Sequence, residues 1–340
     1  LTALFFNNKF NLENSSDLCK IVRINSYKKF VLRLKEIENI SSTLFVIIMT
    51  YEPRISKILE LLTIHNCIIS VFGRNMFPLP SQKSLIKFNL LKLFNFKKIL
   101  NLFLKIIFTY KIKNRKIKPY DIIFLGGKSG WKGIGRINLK DISNSKLIKV
   151  NSDDYDNYLK NKNVESYLDY KYILFLDEYL PLHPDTKVFN ISNVKPEDYY
   201  PELCKYFDKI EEKFKIPVVI AAHPKALEYK KTNFFNGREV IFGKTVNLSK
   251  YASFVISHDT TSINYPICFN KRIHFISSKK ILQKIPSVHE NTVSFSNYLG
   301  SSFQMFDSNE KINLIDKINN NKYKSYKYEF QTWKETETKF

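Results

Sequence analysis

The sequence predicts an α/β fold built on parallel sheets, and three observations support this prediction. Short runs of β-branched and aromatic residues recur along the chain. Several are apolar without interruption, such as 172-YILFL-176 and 218-VVIAA-222, as in strands buried on both faces of a parallel sheet. Helix-like stretches, such as 54–66 and 196–215, lie between them, and such alternation of strand and helix is typical of this class.

The length of 340 residues predicts two domains, because one hydrophobic core rarely serves so long a chain. The polar stretch 155–170 marks the predicted boundary. We expect a first Rossmann-like domain over residues 1–165, a second and more regular one over 166–320, and a polar tail over 321–340. The strands expected in the second domain are 172–176, 217–222, 239–242, 253–257 and 273–276.

The chain is strongly basic, with 54 Lys and Arg against 32 Asp and Glu and a net charge of +22. Such a field favours anionic partners, such as a phosphorylated substrate or an anionic membrane surface. Residues 61–120 contain no Asp or Glu, and 83–118 mixes lysine with Leu, Ile and Phe at helical spacing. This basic amphipathic segment predicts either a helix lying on a membrane or a core-packed helix whose lysines face water. Nucleic acid is not an expected partner, because no zinc, RNP or helix-turn-helix signature accompanies the charge.

The expected location is the cytoplasm, with attachment to the inner face of the membrane. No apolar run is long enough to span a bilayer, and residues 1–10 lack the basic start and cleavage site of a secretory signal. The four cysteines, Cys19, Cys67, Cys204 and Cys268, are widely separated and form no CxxC pair, so we expect reduced thiols.

Polar clusters follow three predicted strands of the second half. They are 177-DEYLPLHPD-185, 221-AAHPK-225 and 257-SHDTTSINY-265. If these strands are parallel, their carboxyl ends lie at one edge of the sheet, where α/β domains place their ligands. The clusters then form a single site, although an ordinary polar turn at the end of each strand is the simpler alternative.

Phosphate binding is the chemistry that two of these clusters favour. His223, with Lys225 beside it, can donate to an anionic oxygen or act as an acid. Thr260, Thr261 and Ser262 open a predicted helix, whose first turn offers hydroxyls and backbone N–H groups to an anion, or simply caps the helix. No P-loop is present, because 126-GGKSG-130 is too short for one.

Loops outside these three clusters contain further candidates for ligand binding, with a weaker signal. Arg238 and the turn Gly243-Lys244-Thr245 either bind a base, a ribose or an anionic group, or merely turn the chain. In the first half, polar residues that follow the strands 45-FVIIM-49 and 121-DIIFL-125 are candidates for the acceptor or sugar side of the site. These are Glu52, Arg54, Gly127, Lys128 and Ser129.

The order of these motifs resembles a known group of enzymes. Asp177-Glu178, His223-Pro224 and Thr260-Thr261-Ser262 match, in type and order, the motifs of bacterial GT-B glycosyltransferases that use CMP-activated ulosonic acids. These are the retaining β-Kdo transferases and the sialyltransferase-like enzymes of lipopolysaccharide and capsule synthesis. The resemblance covers residues 170–280. The sialyltransferase-like group has Gly after the acidic motif where this chain has Tyr179, which favours the Kdo type.

The resemblance implies two Rossmann-like domains facing a central cleft and transfer of a Kdo- or sialic-acid-like sugar from its CMP donor to a surface glycan or glycolipid. It implies no metal and no other cofactor, since 153-DDYD-156 is the nearest approach to a DxD motif. Asp177, Glu178 and His223 would be catalytic, with Asp177 the preferred nucleophile. The donor would contact Pro224, Lys225, Arg238, Lys244, Thr245, Ser257, His258, Thr260, Thr261 and Ser262.

Two other functions remain open at this point. A polyol-phosphate transferase of the teichoic-acid type would share the GT-B fold and the basic charge but use a CDP-activated donor. A non-catalytic protein that binds a membrane surface would use the segment 83–118 alone, with the strand-end motifs as scaffold.

Overall fold

The computed structural model describes residues 22, 24–49, 51–73, 77–78, 96–135, 143–184, 186, 192–315 and 317–338. Cys19, Asp185 and the part of the basic segment before residue 96 lie outside these ranges. The chain divides into two compact units. The first comprises Leu1–Gly73, Asn89–Phe124 and Lys132–Ile148, and the second comprises Arg74–Phe88, Leu125–Trp131 and Lys149–Phe340. The second unit therefore starts at Lys149 rather than at the predicted 166, and it takes two short pieces from the first half.

The first unit contains a four-stranded sheet in the order β1-β2-β3-β4. Strands β1 and β2 are parallel, with Leu44 opposite Ile68. Its elements in chain order are α1 Tyr27–Lys35, β1 Leu44–Ile47, α2 Ser56–Ile64, β2 Ile68–Gly73, α3 Phe96–Lys113, β3 Ile122–Gly126 and β4 Lys146–Val150.

The second unit contains a six-stranded sheet in the order β10-β9-β8-β5-β6-β7, in which every neighbouring pair is parallel. The chain enters at the centre, extends through β6 to β7, and returns to β8 on the other side of β5. This reversal creates a switch point between β5 and β8. The elements are α4 Asp153–Asn161, β5 Ile173–Leu176, α5 Pro196–Phe214, β6 Val218–Ala222, β7 Val240–Phe242, α6 Thr245–Tyr251, β8 Val255–Ser257, α7 Asn264–Cys268, β9 Ile273–Ser277, α8 Lys279–Lys284, α9 Pro286–Leu299, β10 Ser302–Met305 and α10 Asn320–Phe330.

Helix α5 covers one face of this sheet. Its apolar residues Leu203, Phe207 and Ile210 recur at helical spacing and are buried, and Phe207 packs on Phe175 of β5 with ring centroids 5.1 Å apart. Pro196 fits the first turn, where its missing N–H has no helical partner.

The predicted class, two Rossmann-like parallel-sheet α/β units, is confirmed. How the two units face each other stays a prediction.

The expected tail over 321–340 is instead part of the second core. Helix α10 buries Tyr323, Tyr326 and Phe330, and the Tyr326 hydroxyl donates to Asn264 Oδ1 at 2.9 Å. The 28 Phe and 20 Tyr of the composition explain the difference, because aromatic rings bury much area even in a segment rich in Asn and Lys.

The turn after β3 packs against this C-terminal helix. The backbone N–H groups of Lys128 and Ser129 donate to the carbonyls of Tyr328 and Glu329 at 3.1 and 2.7 Å. Beyond the helix, Trp333 Nε1 donates to the Leu125 carbonyl at 2.7 Å. Within the described ranges no helix is long and apolar enough to cross a membrane. Cys67, Cys204 and Cys268 are free thiols.

Candidate functional site

The structure brings the three polar strand ends to one edge of the six-stranded sheet. Strand β5 lies between β6 and β8, with Leu176 opposite both Ala221 and Ser257. The residues that follow these three positions therefore leave the sheet side by side. Asp177 and Glu178 follow β5, His223 follows β6, and the hydroxyl cluster follows β8. This is the carboxyl edge at the switch point, where open α/β sheets bind ligands.

Asp177 is a buried carboxylate that is only partly satisfied. The residue is 5% exposed, and its Oδ2 accepts a long hydrogen bond of 3.4 Å from the His223 backbone N–H. Oδ1 is buried and has no partner at normal hydrogen-bond geometry among the residues that the structure describes. Burial raises the pKa of Asp177 to about 6, against the lowering effect of hydrogen bonds from the Tyr179 backbone N–H and the Tyr229 hydroxyl. Burial therefore outweighs these donors, and the ionised carboxylate is less stable here than in water.

Tyr179 turns the chain sharply behind these carboxylates. Its backbone is left-handed, with φ 56° and ψ 33°, a conformation that glycine adopts readily and other residues rarely do. The Tyr-for-Gly difference from the sialyltransferase-like motif therefore does not by itself separate the two kinds of enzyme, because Tyr179 supplies the backbone geometry that a glycine favours.

Glu178 and Asp259 form an acid pair across the switch point. Asp259 Oδ2 accepts from Asn291 Nδ2 at 2.9 Å, whereas Glu178 Oε1 is buried without a partner. Burial, then the charge of Asp259 and the hydrogen bond to it, raise the pKa of Glu178 well above its usual value. The raised pKa favours the protonated form of Glu178, which can donate to Asp259. Protonation of one member of the pair would lower the negative charge at an edge that contains three acidic side chains.

His223 presents a defined tautomer at the end of β6. Its Nδ1 accepts from the Lys225 backbone N–H at 3.2 Å, so the neutral ring carries its proton on Nε2. The ring meets that of His183 edge to face, with centroids 5.0 Å apart. Pro224 and Lys225 are exposed beside it. The two imidazoles and the lysine bring positive charge or hydrogen-bond donors to the acidic edge.

The hydroxyl cluster begins a shorter helix than predicted. Thr261–Ile263 form a single 3₁₀ turn, followed by α7 of only five residues. Thr260 Oγ1 accepts from the Ser262 N–H at 3.3 Å and so acts as a cap. Since a helix this short has a weak dipole, any phosphate bound here would depend on the hydroxyls of Thr261 and Ser262. Ser257 Oγ, at the end of β8, is buried and has no hydrogen-bond partner in the described part of the chain.

Two predicted donor residues are not placed with the others. His258 is 0% exposed, its Nδ1 donates to the Ile276 carbonyl at 2.6 Å, and its Nε2 accepts from the Tyr199 hydroxyl at 2.8 Å. Burial lowers its pKa to about 4, so it is a neutral core residue. Arg238 precedes β7, at the opposite edge of the sheet, and pairs with Asp208 and Glu211 of α5 at 2.5 and 2.6 Å.

Lys244 and Thr245 lie at the carboxyl edge, but two strands away from β5. They follow β7, where Gly243 has a φ of +69° and Thr245 begins α6. The Lys244 ammonium lies 5.5 Å from the ring centre of Tyr167. Their part in donor binding stays a prediction.

The predicted acceptor-side residues fall into different units. Arg54 pairs with Glu52 at 2.7 Å on the first unit. Gly127 and Ser129 belong to the second unit, where the Ser129 hydroxyl donates to the Glu329 carboxylate and the side chain is buried. Lys128 is exposed. Gly127 and Ser129 are thus contacts to the C-terminal helix, and the glycine-rich stretch serves packing.

Sequence reasoning missed Tyr229 and Asn291, and it placed Asp259 in the first turn of a helix without a role in the site. Asp259 stands inside the quoted motif 257-SHDTTSINY-265, but its residue type is equally expected of a helix cap. Asn291 lies on α9, and nothing in 289-HEN-291 marks it. Its proximity to Asp259 depends on how α9 packs against the sheet, which no local pattern reveals.

The acidic stretch 153-DDYD-156 has a structural role. Asp154 accepts hydrogen bonds from Asn264 Nδ2 and the Tyr265 hydroxyl at 2.7 and 2.9 Å, which holds α4 against α7. Among the described residues no group of three or more His, Cys, Asp and Glu side chains is arranged to hold a metal ion.

Comparison with known proteins yields structural similarity only. No family model and no curated protein matches the chain. The crystal structure of Methanocaldococcus jannaschii UDP-GlcNAc 2-epimerase with UDP-GlcNAc and UDP has a TM-score of 0.41 and 11% identity, covering 90% of this chain and 73% of that one. The S. aureus MnaA–UDP structure has a TM-score of 0.39 and 14% identity, covering 78% and 73%. Scores this low support no functional conclusion, and the fold assignment depends on the strand order itself.

Asp177→Asn is expected to stabilise the protein at neutral pH. The folded-state pKa of about 6 exceeds the value of 3.8 for a solvated aspartate, so the folded chain binds a proton more tightly than the unfolded one. The contribution of Asp177 to the stability of the wild type is then greatest below about pH 4. It falls as pH rises towards 6, by about 3 kcal/mol for a shift of this size. Melting curves should show the variant several degrees above wild type near pH 8, with the gap closing near pH 4. A gap independent of pH would contradict the proposed burial of a charged Asp177.

Proposed function

We propose that the protein is a glycosyltransferase that takes an ulosonic acid of the Kdo or sialic acid type from a CMP-activated donor. The observation that supports this most directly is the arrangement at the switch point. A buried carboxylate, Asp177, lies between His223, which follows β6, and the hydroxyls that follow β8. Transfer of an activated sugar needs these two groups on one edge: one to act at the anomeric carbon and the other to receive the leaving phosphate.

In the first step of the proposed reaction, an oxygen of Asp177 bonds to the anomeric carbon while the bond from that carbon to the CMP phosphate breaks. In the second step, the acceptor hydroxyl bonds to the same carbon, the bond to Asp177 breaks, and the hydroxyl proton passes to the released phosphate. Two displacements retain configuration. If the product is inverted, Asp177 is instead the base that removes the acceptor proton.

His223 and the hydroxyls would stabilise the departing phosphate. The His223 Nε2–H is directed by the hydrogen bond at Nδ1, and Thr261 and Ser262 offer hydroxyl donors on the other side of Asp177. A protonated Glu178 suits an anionic donor, because the sugar carboxylate and the phosphate would otherwise meet three negative side chains. None of these roles requires a metal ion or a further cofactor.

The same proposal includes a surface glycan or glycolipid as acceptor, reached from the inner face of the cytoplasmic membrane. The basic charge of +22 supports an anionic surface as partner. Such an enzyme would act in lipopolysaccharide or capsule synthesis.

Thermal shift with free nucleotides is the first test. CMP should raise the melting temperature, since a ligand at about 100 times its dissociation constant adds roughly 2.7 kcal/mol to stability. The shift should survive Asp177→Asn and shrink in His223→Ala, because the first residue acts on the sugar and the second on the phosphate. Asp208→Asn is a matched control, as it removes an exposed carboxylate at the opposite edge.

Each alternative gives a different outcome. A larger shift with CDP than with CMP would favour the polyol-phosphate transferase, and a shift confined to UDP would refute the CMP donor. No shift with any of the three nucleotides would favour the non-catalytic membrane-binding protein.

A further inference from the structure

Helix α3 exposes an apolar face. Ile99, Phe103, Ile106 and Tyr110 recur at spacings of four, three and four residues, which places them on one side of the helix. They are 52, 59, 58 and 62% exposed. We name these four residues the apolar stripe. Exposed large apolar side chains are common singly, but a contiguous row of them marks an interaction surface.

Two residues of α3 outside the apolar stripe hold the helix in place. Phe108, on the opposite side of the helix, is buried and packs on Tyr51, with ring centroids 5.2 Å apart. Lys111, on one flank, bonds through Nζ to Glu60 Oε2 of α2 at 2.7 Å. All of these residues belong to the first unit. Turning the helix to bury the apolar stripe would break both contacts.

This geometry favours the membrane-surface interpretation of the basic segment over the core-packed one for residues 96–113. A core-packed helix would bury its apolar residues and expose its lysines, whereas α3 buries Phe108 and exposes the apolar stripe. Leu100, Leu104 and Ile107 are also exposed and widen the apolar face on one flank.

The charge of α3 identifies the kind of partner. The helix contains several lysines and no acidic residue, and residues 61–120 contain no Asp or Glu. A second copy of the chain would bring like charges together, at a chain charge of +22 each. An anionic bilayer fits both the apolar stripe and the lysines of α3. Its acyl boundary accepts the apolar side chains, and its headgroups attract the lysines, whose long stems let the ammonium groups reach them.

We propose that α3 lies on the surface of an anionic membrane, with the apolar stripe inserted at the boundary between headgroups and acyl chains. This helix would be the surface through which the protein attaches to the membrane in the proposed function. The attachment does not depend on the proposed transfer reaction.

Vesicle flotation with the full chain tests this inference. Wild type should bind vesicles of phosphatidylcholine mixed with phosphatidylglycerol, and bind less to phosphatidylcholine alone or at high salt. The triple variant Ile99→Asn, Phe103→Asn, Ile106→Asn should bind the mixed vesicles about 10²-fold more weakly, since each removed side chain forfeits apolar burial.

The matched control is the pair Ile48→Asn, Ile64→Asn. These two residues lie in the same unit and are even more exposed, at 82 and 71%, but are not on α3. The control should bind vesicles as wild type does. This result would show that vesicle binding depends on the apolar stripe and not on exposed apolar side chains in general.

Two outcomes would overturn the inference. One is wild-type vesicle binding by the triple variant, with melting curves confirming that it is folded. The other is a wild type that ignores vesicles but forms a dimer that the triple variant loses, which would make a second copy the partner. The CMP thermal shift is measured on the same samples, so loss of nucleotide binding with intact vesicle binding would refute only the proposed reaction.

Discussion

Asp177→Asn should abolish sugar transfer while leaving CMP binding intact. The substitution keeps the size of the side chain and an oxygen that can accept from the His223 N–H, but removes the charge that bonds to the anomeric carbon. Loss of a group acting directly on the reacting atoms costs on the order of 10²–10⁴ in rate for acid–base catalysis, and more when the lost group is the nucleophile. Release of CMP from CMP-Kdo and CMP-sialic acid, with and without a membrane extract as acceptor source, measures the loss.

Intact mass measurement identifies the role of the carboxylate. Wild type incubated with donor and no acceptor should gain the mass of one sugar on the peptide that contains Asp177 and Glu178. The pH dependence should follow the ionisation of Asp177, with activity falling as pH drops through about 6. Asp208→Asn should retain wild-type turnover, because Asp208 lies at the opposite edge of the sheet. An adduct on another peptide, or full activity in Asp177→Asn, would remove Asp177 from the chemistry.

Gly127→Ala should destabilise the second unit by about 2–5 kcal/mol. Gly127 has a φ of +80°, and a Cβ there would lie 2.7 Å from both the Glu329 carbonyl oxygen and the Phe330 carbonyl carbon. Left-handed backbone costs a residue with a side chain about 1–2 kcal/mol, and overpacking adds roughly 1–3 kcal/mol. Tryptophan fluorescence in urea is a selective measurement, because both tryptophans, Trp131 and Trp333, belong to this unit.

Gly237→Ala is the matched control for this prediction. Gly237 has the same φ of +80°, but nothing lies within 4 Å of its Cβ position. It should therefore lose only the backbone contribution of about 1–2 kcal/mol. Equal losses of unfolding free energy in the two variants would contradict the prediction. They would show that the C-terminal helix moves away from the added methyl group without a loss of stability.

The fold could be predicted because its signal is local. The uninterrupted apolar run 218-VVIAA-222 is buried in the sheet over its whole length, and a long helix lies at Pro196–Phe214, where the pattern of 196–215 indicates one. The convergence of Asp177, His223 and the residues after β8 also followed from sequence, since parallel pairing alone brings strand ends together.

The remaining features depend on packing that no local pattern contains. His258 follows β8 as a ligand residue would, yet the Tyr199 hydroxyl and the Ile276 carbonyl occupy both ring nitrogens. Arg238 looked like an anion-binding loop residue, but two acids of α5 lie beside it. In both cases the deciding partners come from elements far along the chain.

The contact between the turn after β3 and the C-terminal helix has a consequence for synthesis. Ser129 and Glu329 are 200 residues apart, and Leu125 and Trp333 are 208 apart. At about 5–20 residues per second, a ribosome makes the later partners roughly 10–40 s after the earlier ones. Throughout that interval the backbone groups of Lys128 and Ser129 have no helix to bond to, so the second unit stays open during translation. The nascent chain then presents its unfinished core to chaperones and proteases until the last helix emerges.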